Sequence, residues 1–154
     1  MGKAIGDAVV PGPMTKGELI SFLGGDAICR VSCIDNQGWP HTVPVWYQYQ
    51  DEGFYLVGRE KSNWAIFLSI NPKAYICIDT LPDIQKVLVQ GTAQIIESPN
   101  VGGKWVQIAR DMATRYLGKD GPVYLEPTMN DPRWLIFIKP IKIQTWQGNY
   151  SKLQ

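Results

Sequence analysis

Between Pro40 and Gln50 the chain alternates, with Val43, Val45, Tyr47 and Tyr49 on one side and Thr42, Pro44, Trp46 and Gln48 on the other. That period of two predicts a half-buried strand. Pro44 has no N–H to give to a ladder, so the strand is expected at a sheet edge or bulged near that residue. The turn Asp51-Glu52-Gly53 follows, then a third strand over Phe54 to Val57, and then the basic turn Arg59-Glu60-Lys61-Ser62-Asn63. This turn opens a helix from about Ser62 to Ile70, which Ser62 or Asn63 is able to cap and Asn71-Pro72 ends.

The same reading extends in both directions. Thr15 and Glu18 form a T-x-x-E capping box ahead of Leu19, Phe22 and Leu23, and Gly24-Gly25 stops that helix. The apolar run Ala27 to Ile34 is a first strand, turned by Asp35-Asn36-Gln37-Gly38. Further strands are expected at Ala74 to Thr80, at Lys86 to Glu97 and at Arg133 to Trp146, the last interrupted by Pro140. Trp105, Ile108, Ala109, Met112 and Tyr116 make one apolar helical stripe, and Gly118 to Pro132 reads as loop. Residues 1–13, rich in Gly and Pro, are expected to be a flexible arm before a single domain over residues 14–150. Hairpin-length turns join most neighbours, so the pattern predicts a mainly β fold, a six-stranded antiparallel barrel with short helices covering its openings.

Composition narrows the function more than the fold. A chain of 154 residues fits one core. Charged residues are 19% of it and the net charge is +1, so no global field recruits nucleic acid or an anionic membrane. No apolar run approaches the roughly 20 residues of a membrane span, and none at the start resembles a signal peptide, so a cytoplasmic protein is expected. Cys29, Cys33 and Cys77 are an odd set on apolar strands without a CxxC pair, and His41 is the single histidine. They read as structural thiols in a reducing compartment, with neither a metal site nor a disulfide framework.

Candidate chemistry concentrates at the basic turn. Arg59 and Lys61 can neutralise a phosphate while the Ser62 hydroxyl and the first N–H groups of the helix donate to its oxygens; an ordinary solvated helix start is the alternative. Trp46, Trp64, Trp105, Trp134 and Trp146 offer faces for a planar heterocycle, or simply core. His41 titrates in the right range for acid–base work but has no predictable carboxylate beside it. With no nucleophile elbow, Rossmann or P-loop signature, the chemistry is expected to reside in a bound cofactor.

The run RVSCIDNQGWPHTVPVWYQYQDEGFYLVGREKSNWAIFLSINPKAYICI, with VLVQGTAQII and the closing WLIFIKPIKIQTWQG, resembles the pyridoxamine 5′-phosphate oxidase-like, FMN-binding split β-barrel superfamily. The resemblance implies a homodimer with FMN at the subunit interface and an oxidoreductase moving hydride or electrons to or from a small substrate. A deazaflavin (F-420) dependent reductase and a non-catalytic flavin- or haem-binding protein are the alternatives. It also implies that Val43, Pro44, Val45 and Trp46 lie along the isoalloxazine ring. Val57, Gly58, Lys61, Ser62 and Asn63 would hold the ribityl phosphate, with Arg59 and Trp64 beside them; Gln85 or Lys86 would reach the cofactor, and Trp146 would lie near the interface. Many members carry Arg or Lys where this chain has Asn63 and Trp64, leaving Arg59 and Lys61 as substitutes. The substrate-binding arginine and histidine of true pyridoxamine phosphate oxidases have no match in IQTWQGNYSKLQ, so that activity is not expected.

Overall fold

A computed structural model describes residues 11–81 and 84–148. The chain runs α1 (Lys16–Leu23), β1 (Cys29–Ile34), β2 (Pro40–Val45), β3 (Gln48–Gln50), β4 (Gly53–Arg59), α2 (Asn63–Ile70), β5 (Lys73–Thr80), β6 (Ile84–Asn100), α3 (Trp105–Leu117), a 3-10 segment (Gly121–Thr128) and β7 (Arg133–Gly148). The strands form one antiparallel sheet in the order β2-β1-β5-β6-β7-β4-β3. Its two edge strands, β2 and β3, are consecutive in the chain and joined only by Trp46 and Tyr47. The sheet therefore curls into a barrel whose seam is a peptide link, and mainly β architecture with covering helices is what the sequence predicts.

The predicted strand over residues 40–50 is thus two strands. β2 pairs with β1 from Cys29↔Val45 to Ile34↔Pro40, whereas β3 pairs with β4 through Gln48↔Tyr55 and Gln50↔Gly53. Pro44 lies in the edge strand β2, where a missing donor costs least. The Asp51–Glu52 loop has φ of 58° and 60°, the double left-handed conformation that matches hairpin twist, and Tyr55 donates its hydroxyl proton to Asp51 at 2.7 Å. At the far end, Gly91 pairs with Pro140 and Gln90 with Lys142, so Ile141 is an extra residue. Pro140 is accommodated by this bulge.

Alternation sorts side chains between two cores. Val31, Tyr47, Phe54, Leu56, Ile76, Val89 and Ile138 fill the barrel, which Phe22 and Leu23 of α1 and Ala65 and Leu68 of α2 cover. The capping box of α1 forms as expected: Thr15 Oγ1 accepts from the Glu18 N–H at 3.2 Å and Glu18 accepts from the Thr15 N–H at 3.1 Å. On the outside of β4 and β7, Trp105, Ile108, Met112, Leu125 and Leu135 form a second cluster that seats α3 and the 3-10 segment. Gly121 fixes that seat, because a Cβ there would lie 2.1 Å from the Ala113 carbonyl oxygen. The region read as loop from Gly118 to Pro132 holds this 3-10 segment, with Pro122 and Pro127 supplying its φ. Residues 1–10 of the expected arm lie outside the described residues, and Gly12 pairs with Gln147 of β7. No described helix is long and apolar enough to cross a membrane.

Candidate functional site

The seam of the barrel, the α2 start and the outer cap of α3 meet around one cavity of ≈ 450 Å³. Pro44 and Val45 come to it from the end of β2, Trp46 from the seam, Val57, Gly58 and Arg59 from the end of β4, and Ser62 and Trp64 from α2. All eight belong to the site predicted from sequence. The opposite wall is Ala109 and Met112 of α3, Tyr124 and Leu125 of the 3-10 segment, and Arg133 at the start of β7. Its size is that of a small-molecule or cofactor site.

The seam is held rigidly. Arg115 of α3 lies 4.7 Å over the Tyr47 ring and 4.4 Å over the Tyr116 ring, and donates to the carbonyl oxygens of Tyr47 and Gly25. Tyr47 and Tyr116 donate their hydroxyl protons to the Leu23 and Ala27 carbonyls, each at 3.0 Å. Trp46 points the other way, stacked on Tyr116 at 5.0 Å and 18° and tilted against Tyr124 at 5.8 Å. One edge of the cavity is consequently a preformed aromatic surface.

The other end is polar and positive. Ser62 occupies the N-cap position of α2, with φ −66° and ψ 120°, yet makes no side-chain capping bond. Its N–H donates to the Arg59 carbonyl at 3.0 Å, leaving the hydroxyl beside the orphan N–H groups of the first turn. Arg59 is exposed and 3.6 Å from Asp131. Arg133 is buried, donates to the Thr128 carbonyl at 2.9 Å and the Thr128 hydroxyl at 2.7 Å, and lies 4.6 Å over Trp105. Burial first, and the Arg59 charge second, push the Arg133 guanidinium below its ordinary pKa. Among the described residues no carboxylate lines the cavity, so its local charge favours an anion.

Four predicted residues are not on this wall. Val43 packs into the barrel interior, and Lys61 and Asn63 are exposed on the turn. Lys86 sits opposite Trp146 on the outer face of β6 and β7, in a separate hollow with Leu88, Gln144 and Thr145. Gln85 lines a cavity under α1 with Glu18 and Asp26. His41 makes an edge contact with Phe67 at 5.3 Å and lies off the site. Trp64, flagged as standing in place of a cation, is 8% exposed and packs on Gly58. Sequence reasoning missed Ala109, Met112, Tyr124, Leu125 and Arg133; the single-faced α3 stripe was the one signal that something covers the barrel's outside.

The fold recurs in proteins of differing ligands. An F420 reductase shares 18% identity over 80% of this chain and 93% of its own, with a TM-score of 0.66. The heme storage protein of Vibrio cholerae gives 18%, 85%, 94% and 0.65 for the same four measures, and an FAD-binding protein of Mesorhizobium loti 16%, 92%, 100% and 0.63. No curated protein sequence matches the chain. The model of the pyridoxamine 5′-phosphate oxidase family matches residues 15–147, from the cap of α1 to the penultimate residue of β7. By that match and by its closed antiparallel barrel, the chain belongs to the pyridoxamine 5′-phosphate oxidase family.

Proposed function

We propose that the cavity binds FMN without covalent attachment and that the protein is a flavin-dependent oxidoreductase acting on a small molecule. The carrying observation is the polarity of the cavity. An aromatic and aliphatic wall from Val45, Trp46, Val57 and Met112 leads to an end with Arg59, Arg133 and Ser62, which suits an apolar heterocycle carrying a phosphate. Bound flavin would supply reversible acceptance of hydride or electrons. Arg59, the Ser62 hydroxyl and the first N–H groups of α2 would hold its phosphate, with Lys61 and Asn63 on the same turn. Pro44, Val45 and Trp46 would position the ring against the edge of β2, and Tyr124 and Leu125 would exclude water.

Homodimerisation is part of the reading. Tyr75, Ile141 and Trp146 are 40%, 64% and 43% exposed on the barrel's outer face, an apolar surface of the kind that pairs copies. Lys86 lies on that face, and in a dimer it would serve the cavity of the partner subunit.

The test is an absorbance spectrum of the purified protein, followed by mass analysis of what heat releases. Flavin bands with released FMN are expected. A colourless protein that takes up no added FMN overturns the reading, and uptake of reduced or oxidised deazaflavin in its place would redirect it to a deazaflavin-dependent reductase. Turnover is then checked with nicotinamide donors, where tight flavin binding without turnover would leave a binding protein.

A further inference from the structure

Strands β4 and β7 place Arg59 and Arg133 directly opposite each other at the end of their ladder. Both line the cavity. Like charges paired across a ladder repel, and Arg133, at 6% exposure, has little water to screen it. Its direct hydrogen-bond and ring partners carry no charge, and the Asp131 carboxylate offsets less than the Arg59 charge adds. Thr128 supplies a carbonyl and a hydroxyl and Trp105 a ring face, all uncharged. Asp131 is bridged to Arg59, and more than half of its side chain faces solvent. Of the five N–H groups of a guanidinium, the two bonds to Thr128 leave three on Arg133. The start of α2 offers no cation at positions 63 and 64, since Asn63 is exposed and Trp64 is committed to packing on Gly58.

We propose that Arg133 is an anion-binding residue that closes with Arg59 on the phosphomonoester end of the bound flavin, and so selects a ligand with a terminal dianion. The inference rests on the flavin reading above and adds to it a residue from the far end of the chain. A phosphomonoester carries about two charges near pH 7 and matches two guanidiniums. A phosphodiester carries one and leaves the arginine pair half-compensated. Thr128 and Trp105 hold the Arg133 side chain in place before the ligand arrives, so little rotamer entropy is lost on binding.

The experiment measures dissociation constants for FMN and for riboflavin, which lacks the phosphate, by quenching of flavin fluorescence. Wild type is expected to prefer FMN by more than about a hundredfold, and each arginine to account for about tenfold of that. Arg59→Gln, an exposed substitution, should therefore lose about tenfold of that preference, Arg59→Gln with Arg133→Gln about tenfold more, down to what Ser62 and the first N–H groups of α2 supply, and Arg59→Gln with Arg133→Lys should partly restore it. Equal affinity for FMN and riboflavin in Arg59→Gln alone overturns the role of Arg133, and this arm stands even if the Arg133 variants do not fold. Equal affinity in wild type overturns the clamp and leaves the flavin reading intact. Should neither flavin bind, inorganic phosphate is the probe. A rise in melting temperature that survives in part in Arg59→Gln keeps the clamp while the flavin reading falls; no rise overturns both.

Discussion

Gly58 and Trp64 are fitted to each other: a Cβ on Gly58 would sit 2.9 Å from Cζ2 of the Trp64 indole and 3.1 Å from the Ala65 Cβ. The end of β4 and the first turn of α2 are thereby packed at backbone distance, which fixes where Arg59 and Ser62 stand.

Gly58→Ala is expected to destabilise the protein by about 1–3 kcal/mol through overpacking. Chemical denaturation monitored by tryptophan fluorescence measures this. Combining it with Trp64→Phe should cost less than the sum of the two single changes, because the smaller ring makes room for the methyl. An additive double mutant would show that the contact does not govern the junction.

Arg115→Met keeps much of the side chain's length and removes its donors to the Tyr47 and Gly25 carbonyls. A loss of about 2–3 kcal/mol is expected from charge-assisted bonds of this kind. Since Tyr116 and Trp46 stack on the same assembly, a near-ultraviolet dichroism change should accompany it. Unchanged aromatic dichroism would mean that the seam is held by other contacts.

Thr15→Ala removes the side-chain half of the α1 capping box, with an expected cost of about 1 kcal/mol. Glu18→Gln should cost less, as Gln can still accept from the Thr15 N–H. Equal losses in the two would assign the Glu18 effect to its charge.

Stability is expected to decline on the alkaline side. Burial raises the Cys29 thiol above its ordinary 9.0 and the Tyr47 phenol above its ordinary 10.0. Cys77 adds to the Cys29 shift, and at Tyr47 the Arg115 charge opposes it. In the unfolded chain these groups ionise at their ordinary values, so it releases protons first. Their contribution is complete below about pH 9 and falls as pH rises, by up to about 1.4 kcal/mol per pH unit for each group. Denaturant midpoints from pH 8 to 10.5 measure the slope, and Cys29→Ala should flatten its first part. A wild-type midpoint that stays level across this range would contradict the assignment.

The legible parts of the sequence were those whose cause is local. The α1 cap needs only Thr15 and Glu18, and the inward set Val43, Val45, Tyr47 and Tyr49 needs only a period of two. The break between β2 and β3 is invisible to that period, because the side chains keep alternating while the hydrogen-bond partner changes from β1 to β4. The 3-10 segment read as loop because Pro122 and Pro127 mark turns as readily as they preset its φ. Of the site, the β2, β4 and α2 walls were legible from the resemblance. Arg133 was not: it meets Arg59 only through the pairing of two strands distant in sequence. Lys86 was expected at the cofactor, and within one protomer it faces a different hollow.

The covalent seam at Trp46 and Tyr47 also sets an order of events. β2 can settle on β1 early, but β3 and β4 have no place until β7, distant from them in sequence, lies beside β6. Long-range closure of this kind is slow, and it is the step that brings Trp46 to Arg59 and Arg133. Before β7 docks, the Trp46 wall of the cavity stands without Arg133, which β7 carries. Fastening the ring and completing the cavity wall are therefore one event, because the ladder that seats β4 on β7 also sets Arg59 opposite Arg133.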